Sequence, residues 1–120
     1  MNHSNISIDV QLDGNKHPEA ITWKATDSDV QGDQQAKSMM LAFWDGDKKS
    51  ALQIGLWTKD MMVDEMADFY YQTLIAMAET FSRATNHTQF EEQMKFAAND
   101  FYSKFGDLRK AEMRSQRKSE

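Results

Sequence analysis

The chain has 120 residues, a formal net charge of −5 and no cysteine, and 40% of its residues are hydrophobic. This length predicts one domain, whose core needs neither disulfides nor metal ions for folding. The missing thiols exclude disulfide frameworks, cysteine-ligated zinc and thiol nucleophiles, and the acidic balance disfavours nucleic acid as a partner. Without a signal-peptide pattern or an apolar window long enough to span a bilayer, we expect a cytoplasmic protein.

Strand patterns occupy the first quarter of the chain. Residues 6–12 alternate apolar and polar side chains, which is typical of a strand with one buried face. Residues 13–18 contain aspartate, glycine and proline and predict a hairpin loop, after which residues 21–25 alternate again. Residues 27–38 then predict a loop followed by a short helix whose N-cap is Asp33.

Residues 39–44 fit two patterns, because their apolar side chains have both helical and alternating spacing. The turn at Asp45-Gly46 separates them from a second apolar run at residues 52–56. An Asp-Gly turn between two apolar runs is a strong hairpin signal. We therefore predict a third and a fourth strand here, with a helix over residues 39–44 as the alternative.

Two helices are predicted to follow the strands. Residues 62–84 keep apolar side chains at helical spacing, and residues 86–88 interrupt the pattern. Thr88 and Glu91 have the spacing of a capping box, which starts a second helix. The whole predicts an α+β fold in which a small antiparallel sheet of about four short strands is covered by a C-terminal helical hairpin.

We expect one domain over residues 1–106 and a basic tail over residues 107–120. The tail carries more basic than acidic side chains, but its glutamates are interspersed among them. This pattern favours a frayed, solubilising end. Contact with RNA or with an acidic surface is the alternative for this segment.

No catalytic or cofactor motif is found, so we expect neither an enzyme nor a cofactor. Residues 27–33 begin like a calcium loop, but Ser38 stands where such a loop has its glutamate, and no helix precedes it. The acids at residues 60–68 suit a helix N-terminus, and the three histidines are far apart in the sequence. No metal site is predicted, and weak binding of a metal or small ligand by either acidic segment remains an alternative function.

Four large apolar side chains, together with the small side chain of Ala78, lie outside the predicted core stripes of the two helices. The four are Tyr71, Ile75, Phe96 and Tyr102. Because monomers rarely expose a large contiguous apolar patch, these residues are candidates for binding a protein partner or a second copy of the chain. The alternative is that they are single exposed apolar residues, which are common on protein surfaces.

The segment from Leu52 through Leu56-Trp57-Thr58-Lys59-Asp60-Met61 to Met66, together with residues 43–45 and 72–81, resembles the gliding-motility-associated GldC family. The resemblance covers most of residues 5–106. It implies an accessory protein of the gliding machinery, and it carries over no family active site. The most specific part of the resemblance is the segment Leu56-Trp57-Thr58-Lys59-Asp60-Met61. Trp57 and Lys59 are therefore also candidates for partner binding.

The sequence therefore predicts a non-catalytic cytosolic accessory or interaction protein whose protein partner is unknown, and a homo-oligomer is compatible with it. A chaperone or peptide-binding module similar in outline to SecB is the alternative, since the chain contains 9 methionines and methionine suits adaptable apolar grooves.

Overall fold

A computed structural model describes residues 2–118 of the chain, and the side chains of residues 2–116. The chain divides between Met61 and Met62 into two compact units. The elements are β1 (Ile6–Leu12), β2 (Pro18–Ala25), β3 (Gln34–Ala36), β4 (Ser38–Asp45), β5 (Ser50–Trp57), α1 (Val63–Thr85) and α2 (Gln89–Lys118). Short antiparallel strands followed by two helices confirm the predicted α+β class.

Strands β1, β2 and β3 form one antiparallel sheet in that order. In its register Ile8 lies opposite Trp23 and Val10 opposite Ile21. Paired residues share a face, so the apolar side chains of both strands lie on the same side of the sheet. Ile21 is 1% exposed and is the largest fully buried side chain of the described residues.

The short helix predicted after Asp33 is wrong. Residues 34–36 instead form β3, in which Ala36 lies opposite Ile21 and Gln34 opposite Trp23. Gly32, with a φ of 85°, turns the chain into this strand. A helix that must end before β4 would have one turn at most, and forming a first helical turn is unfavourable. Pairing with the open edge of β2 therefore overrides the local capping signal.

Strands β4 and β5 form a separate two-stranded sheet, which confirms the predicted hairpin and the strand at residues 39–44. Asp45 accepts hydrogen bonds from the backbone N–H groups of Asp47 at 2.9 Å and Lys48 at 3.1 Å, which holds the turn. Both faces of the hairpin are mainly apolar. One face carries Met39, Leu41, Phe43, Leu52, Ile54 and Leu56. The other carries Met40, Ala42, Trp44, Ala51, Gly55 and Trp57, together with the polar Ser38 and Gln53.

The helices of the second unit form the predicted hairpin. The bounds of α1 agree with the expected ones to within one residue, whereas α2 continues beyond residue 106, after which the tail was expected. The backbone N–H of Met62 donates to Glu65 Oε1 at 3.2 Å at the start of α1. Asn86, with a φ of 61°, ends α1, and its N–H donates to the carbonyl of Ser82 at 2.9 Å. A left-handed residue at this position is a common helix terminator.

The face along which α1 and α2 pack differs from the predicted stripe of α1. Ala78 and Ala98 are fully buried there, although Ala78 lies outside that stripe. Tyr71 and Tyr102 stack with their ring centroids 4.6 Å apart. By contrast, Tyr70 and several other stripe residues are exposed. Helix α1 therefore has two apolar faces, and α2 packs on the one with the smaller side chains.

Helix α2 continues through residues 107–118, which are the described part of the predicted basic tail. Arg109 Nε lies 2.9 Å from Asp64 Oδ1 and its Nη1 lies 2.8 Å from Glu112 Oε2. The pair with Asp64 links the beginning of the tail to α1, while the pair with Glu112 lies within α2. Residues 119 and 120 lie outside the described residues, and the fraying of the tail stays a prediction.

Ala78→Leu should destabilise the chain by about 1–3 kcal/mol, because three extra heavy atoms cannot fit where α1 meets α2 without displacing side chains. Ala76→Leu is the matched control, since Ala76 is exposed on the same helix, and it should change stability by less than about 0.5 kcal/mol. Urea unfolding followed by circular dichroism measures both. Equal midpoints for the two variants would contradict the described packing.

Candidate functional site

The segment Trp57-Thr58-Lys59-Asp60, which we call the corner, follows directly on the last residue of β5. Thr58 is 3% exposed and its N–H donates to the carbonyl of Lys37 at 2.8 Å. Lys37 stands between β3 and β4. Thr58 thus extends the β4–β5 ladder by one pair and ties the end of β5 to the junction of the two sheets.

The hydroxyl of Thr58 orders the polar side of the corner. Its Oγ1 lies 2.5 Å from Asp60 Oδ1 and 3.1 Å from the Lys37 carbonyl oxygen. Donation from Thr58 lowers the pKa of the Asp60 carboxyl, and the charge of Lys37, whose Nζ is 4.0 Å from Asp60 Oδ2, acts in the same direction. The carboxylate of Asp60 is therefore held in its charged form.

An ion pair forms on the opposite side of the corner. Lys59 contacts the carboxylate of Asp13, which is the first residue of the β1–β2 turn. Asp13 Oδ1 also accepts the N–H groups of Asn15 at 2.8 Å and His17 at 2.9 Å. Lys59, then the amide of His17, hold the pKa of Asp13 well below its ordinary value, while Asp13 raises the pKa of Lys59. The corner thereby fixes the β1–β2 turn beside Trp57.

Two surface cavities flank the corner. The first has a volume of about 230 Å³ and is lined by His17, Pro18, Gly55, Leu56, Trp57 and Lys59. The second, of about 310 Å³, is lined by Ile21, Lys37, Thr58 and Asp60 among others. Lys59 and Asp60 lie in a turn that is closed by the Met61 N–H donating to the Thr58 carbonyl at 3.1 Å. Lys59 borders the same cavity as Trp57, while Asp60 borders the same cavity as Thr58.

The first cavity brings Trp57 and Lys59 together with residues that sequence reasoning missed. His17 and Pro18 come from the β1–β2 turn and the start of β2. They are far from Trp57 in the sequence, and no pattern indicated that they would lie beside it. Gly55 could have been found from the sequence, because glycine inside a strand often marks a close approach of another group. A Cβ atom at Gly55 would meet nothing within 4 Å, so the packing described for this chain does not require glycine there. Its missing side chain leaves part of the cavity open.

The other four candidate residues lie in the helical unit. Tyr71 donates from its hydroxyl to Asn99 Oδ1 at 2.9 Å, and Tyr102 donates to the carboxylate of Asp68. This contact and the negative charge of Asp68 raise the pKa of Tyr102. Ile75 is half-buried, while Phe96 is 73% exposed. The tyrosines therefore cover each other within the hairpin, and partner binding by any of the four stays a prediction.

Neither acidic segment gathers into an ion-binding cluster in the structure. Among residues 2–118, no group of three or more histidine, aspartate or glutamate side chains is placed to hold a metal ion. In the same range no helix has the length and hydrophobicity needed to cross a bilayer.

The fold and the corner together define a small α+β protein with two surface cavities beside one buried threonine. The chain matches the model of the family "Gliding motility-associated protein GldC-like" over residues 18–107, which is 90 of its 120 residues, and it belongs to this family. The match includes the whole corner and the residues that line the two flanking cavities, apart from His17. Neither a curated protein nor a solved structure shows a significant match to the chain.

Thr58→Val should raise the pKa of Asp60 toward its ordinary value of 3.8 and lower the stability of the chain, because a hydrogen bond is lost. The isosteric side chain removes only the hydroxyl donor. Since the native pKa is depressed, the lost contribution is one that is present above pH 3.8 and fades as pH falls through the native value. Thr58→Ser, which keeps the hydroxyl, is the control. NMR titration of the carboxyl would contradict the assignment if both variants left the Asp60 pKa unchanged.

Lys59→Met should raise the pKa of Asp13, because it removes the cation with the largest influence on that carboxylate. The Asp13 contribution to stability is present above pH 3.8 in the native protein and is lost as pH falls through its depressed pKa. In the variant this loss should begin at higher pH. Lys48→Met, in the β4–β5 turn, is the matched control, and NMR titration of Asp13 in both variants is the measurement. An identical Asp13 titration in the two would rule out the pairing with Lys59.

Proposed function

We propose that this protein is a non-catalytic, cytoplasmic interaction protein of a gliding-motility process, and that the corner is its partner-binding surface. Membership of the GldC-like family supports the process. The observation that carries the proposal is the setting of Trp57, which is 58% exposed beside the apolar cavity floored by Gly55. A large exposed aromatic side chain next to an open apolar cavity is typical of the anchor of a protein interface.

The size of the cavity beside Trp57 favours a polypeptide partner over a small-molecule substrate. Pockets for drug-sized ligands have volumes of roughly 300–1,000 Å³ and bury most of the ligand. The cavity beside Trp57 has about 230 Å³ and is open to the surface. It is large enough for one apolar side chain of a partner, with Trp57 packing beside it.

The charges at the corner favour the same class of partner. Lys59 is already paired with Asp13, and Lys37 lies near Asp60. Both cations therefore meet a carboxylate of the same chain, which disfavours strong binding of free phosphate groups. Ion pairs around an apolar centre resemble the polar rim of a protein interface, which adds specificity and little affinity.

A peptide-binding chaperone similar to SecB is the second candidate, and the β4–β5 hairpin is the observation that favours it. Phe43, Trp44 and Leu52 are all more than half exposed there, on a two-stranded sheet that is mainly apolar on both faces. A chaperone would use this broad surface without a preferred anchor, whereas an interaction protein would depend on the corner.

Trp57→Ala should lower the amount of partner captured from cells of the source bacterium about tenfold or more, because it removes the anchor side chain. Trp44→Ala is the matched control, since Trp44 is 70% exposed and lies on the same face of the hairpin at its other end. Circular dichroism and thermal unfolding check that both variants fold. Photo-crosslinking from position 57 identifies the partner, and colony spreading of cells carrying each variant reports on gliding.

The outcomes separate the two candidates. Loss of capture and of spreading with Trp57→Ala alone supports the corner. Equal losses with both variants, together with suppression of client aggregation by the wild-type protein, favour the chaperone. Normal spreading of cells that lack the protein altogether would refute the role in gliding.

A further inference from the structure

We propose that the free edge of β5 pairs with the same edge of a second copy of the chain. The two β5 strands would run antiparallel about a two-fold axis at Gln53, which joins two hairpins into one four-stranded sheet. This inference goes beyond the proposed function, because it concerns the strand edge and not the partner bound at the corner.

The edge of β5 lacks the features by which proteins protect exposed strands. Such edges usually carry a lysine, a proline or a bulge. Residues 50–57 contain no charged residue and no proline, and their register with β4 is continuous from Ser50 to Trp57. Strand β1, the long edge strand of the other sheet, carries Asp9 and a register shift at Gln11/Leu12. The open edge of β5 is therefore the better template for strand addition.

The hydrogen-bond pattern shows which backbone groups are available on this edge. Thr58 donates to Lys37, its partner in the register that pairs Trp57 with Ser38. In an antiparallel ladder, alternate residues point their N–H and C=O groups toward the neighbouring strand. The groups of Ala51, Gln53 and Gly55 consequently point away from β4. Among the described residues, β4 is the only strand neighbour of β5.

The side chains of β5 suit pairing with an identical strand. About an axis at Gln53, the two Gln53 residues face each other, and an amide can donate to and accept from a copy of itself. Gly55 lies opposite Ala51 of the second copy, and Leu52 lies opposite its Ile54. Small residues meet small ones on one face and aliphatic residues meet on the other. No charged residue is brought into the paired segment.

Overlap and self-complementarity favour this register over its neighbours. An axis at Leu52 would pair only residues 50–54 of the strand, whereas the axis at Gln53 keeps residues 50–56 of both copies paired. An axis at Ile54 would pair residues 51–57, but it would place Gln53 opposite Gly55 instead of opposite its own copy.

Pairing would stabilise the β4–β5 hairpin because it enlarges the sheet. A two-stranded hairpin is marginally stable in water, and three or more strands with an apolar face are needed for independent stability. In β4–β5, Ala51, Leu52, Gln53, Ile54 and Gly55 are all exposed. Pairing through a two-fold axis would double the strand number and satisfy the open edge. It would also form a closed dimer, because the same patch serves both copies.

Introduced cysteines test the register directly, since the chain has none of its own. Facing residues of a hydrogen-bonded antiparallel pair have Cα atoms about 5.5 Å apart, within the range that a disulfide spans. Gln53→Cys should therefore give a covalent dimer under mild oxidation in the full chain. Leu52→Cys and Ile54→Cys should crosslink less, and Gln72→Cys, exposed on α1, is the control for random collision. Equal crosslinking at all four positions would overturn the proposal.

A charge-swap pair provides the equilibrium test. Gln53→Lys and Gln53→Glu should each weaken the dimer about tenfold or more in sedimentation experiments, because like charges meet at the axis. An equimolar mixture should recover a heterodimer, which misfolded variants could not form. A monomeric wild-type protein, or variants that dimerise like the wild type, would refute pairing at β5. Partner capture by Trp57 is measured separately, so either proposal can fail without the other.

Discussion

Thr58 is the residue on which the arrangement of the first unit depends. Its backbone N–H binds the carbonyl of Lys37, and Lys37 is the single residue between β3 and β4. The contact therefore joins the last strand of one sheet to the point where the chain leaves the other. The two cavities flank this anchor, with Trp57 and Lys59 lining one and Thr58 and Asp60 lining the other.

Sequence reasoning located most elements because their patterns are local. The alternation in β1 and β2, the Asp-Gly turn after β4 and the break between the helices each depend on neighbouring residues. Strand β3 was missed because three residues carry too little periodicity to compete with a capping signal. Their pairing with β2 is a long-range choice, made by the open edge of that strand. The packing face of α1 was missed for a similar reason. Two adjacent apolar stripes satisfy helical spacing equally well, and only the partner helix distinguishes them.

In the candidate site, too, some residues could be found from the sequence, whereas others are brought there by long-range contacts. Trp57 and Lys59 could be singled out from the sequence because the family resemblance is concentrated there. Asp13, His17 and Pro18 could not, since the contact of Lys59 with Asp13 closes a long loop of the chain. An aspartate in a turn is normally interpreted as stabilising the turn, and Asp13 does bind two backbone N–H groups of its own turn. Its ion pair with Lys59 forms only when the sheet is assembled. Both kinds of contact lower the pKa of Asp13.

Gly55 connects the corner with the edge of β5. Its side-chain position opens the cavity beside Trp57, while its backbone groups belong to the set that points away from β4. Glycine inside a strand destabilises it by roughly 0.5–1 kcal/mol relative to alanine, and a Cβ atom would meet nothing in the chain. A residue with a cost to the isolated chain and no packing reason within it is best explained by close approach of another chain. In the proposed dimer that approach is made by Ala51 of the second copy.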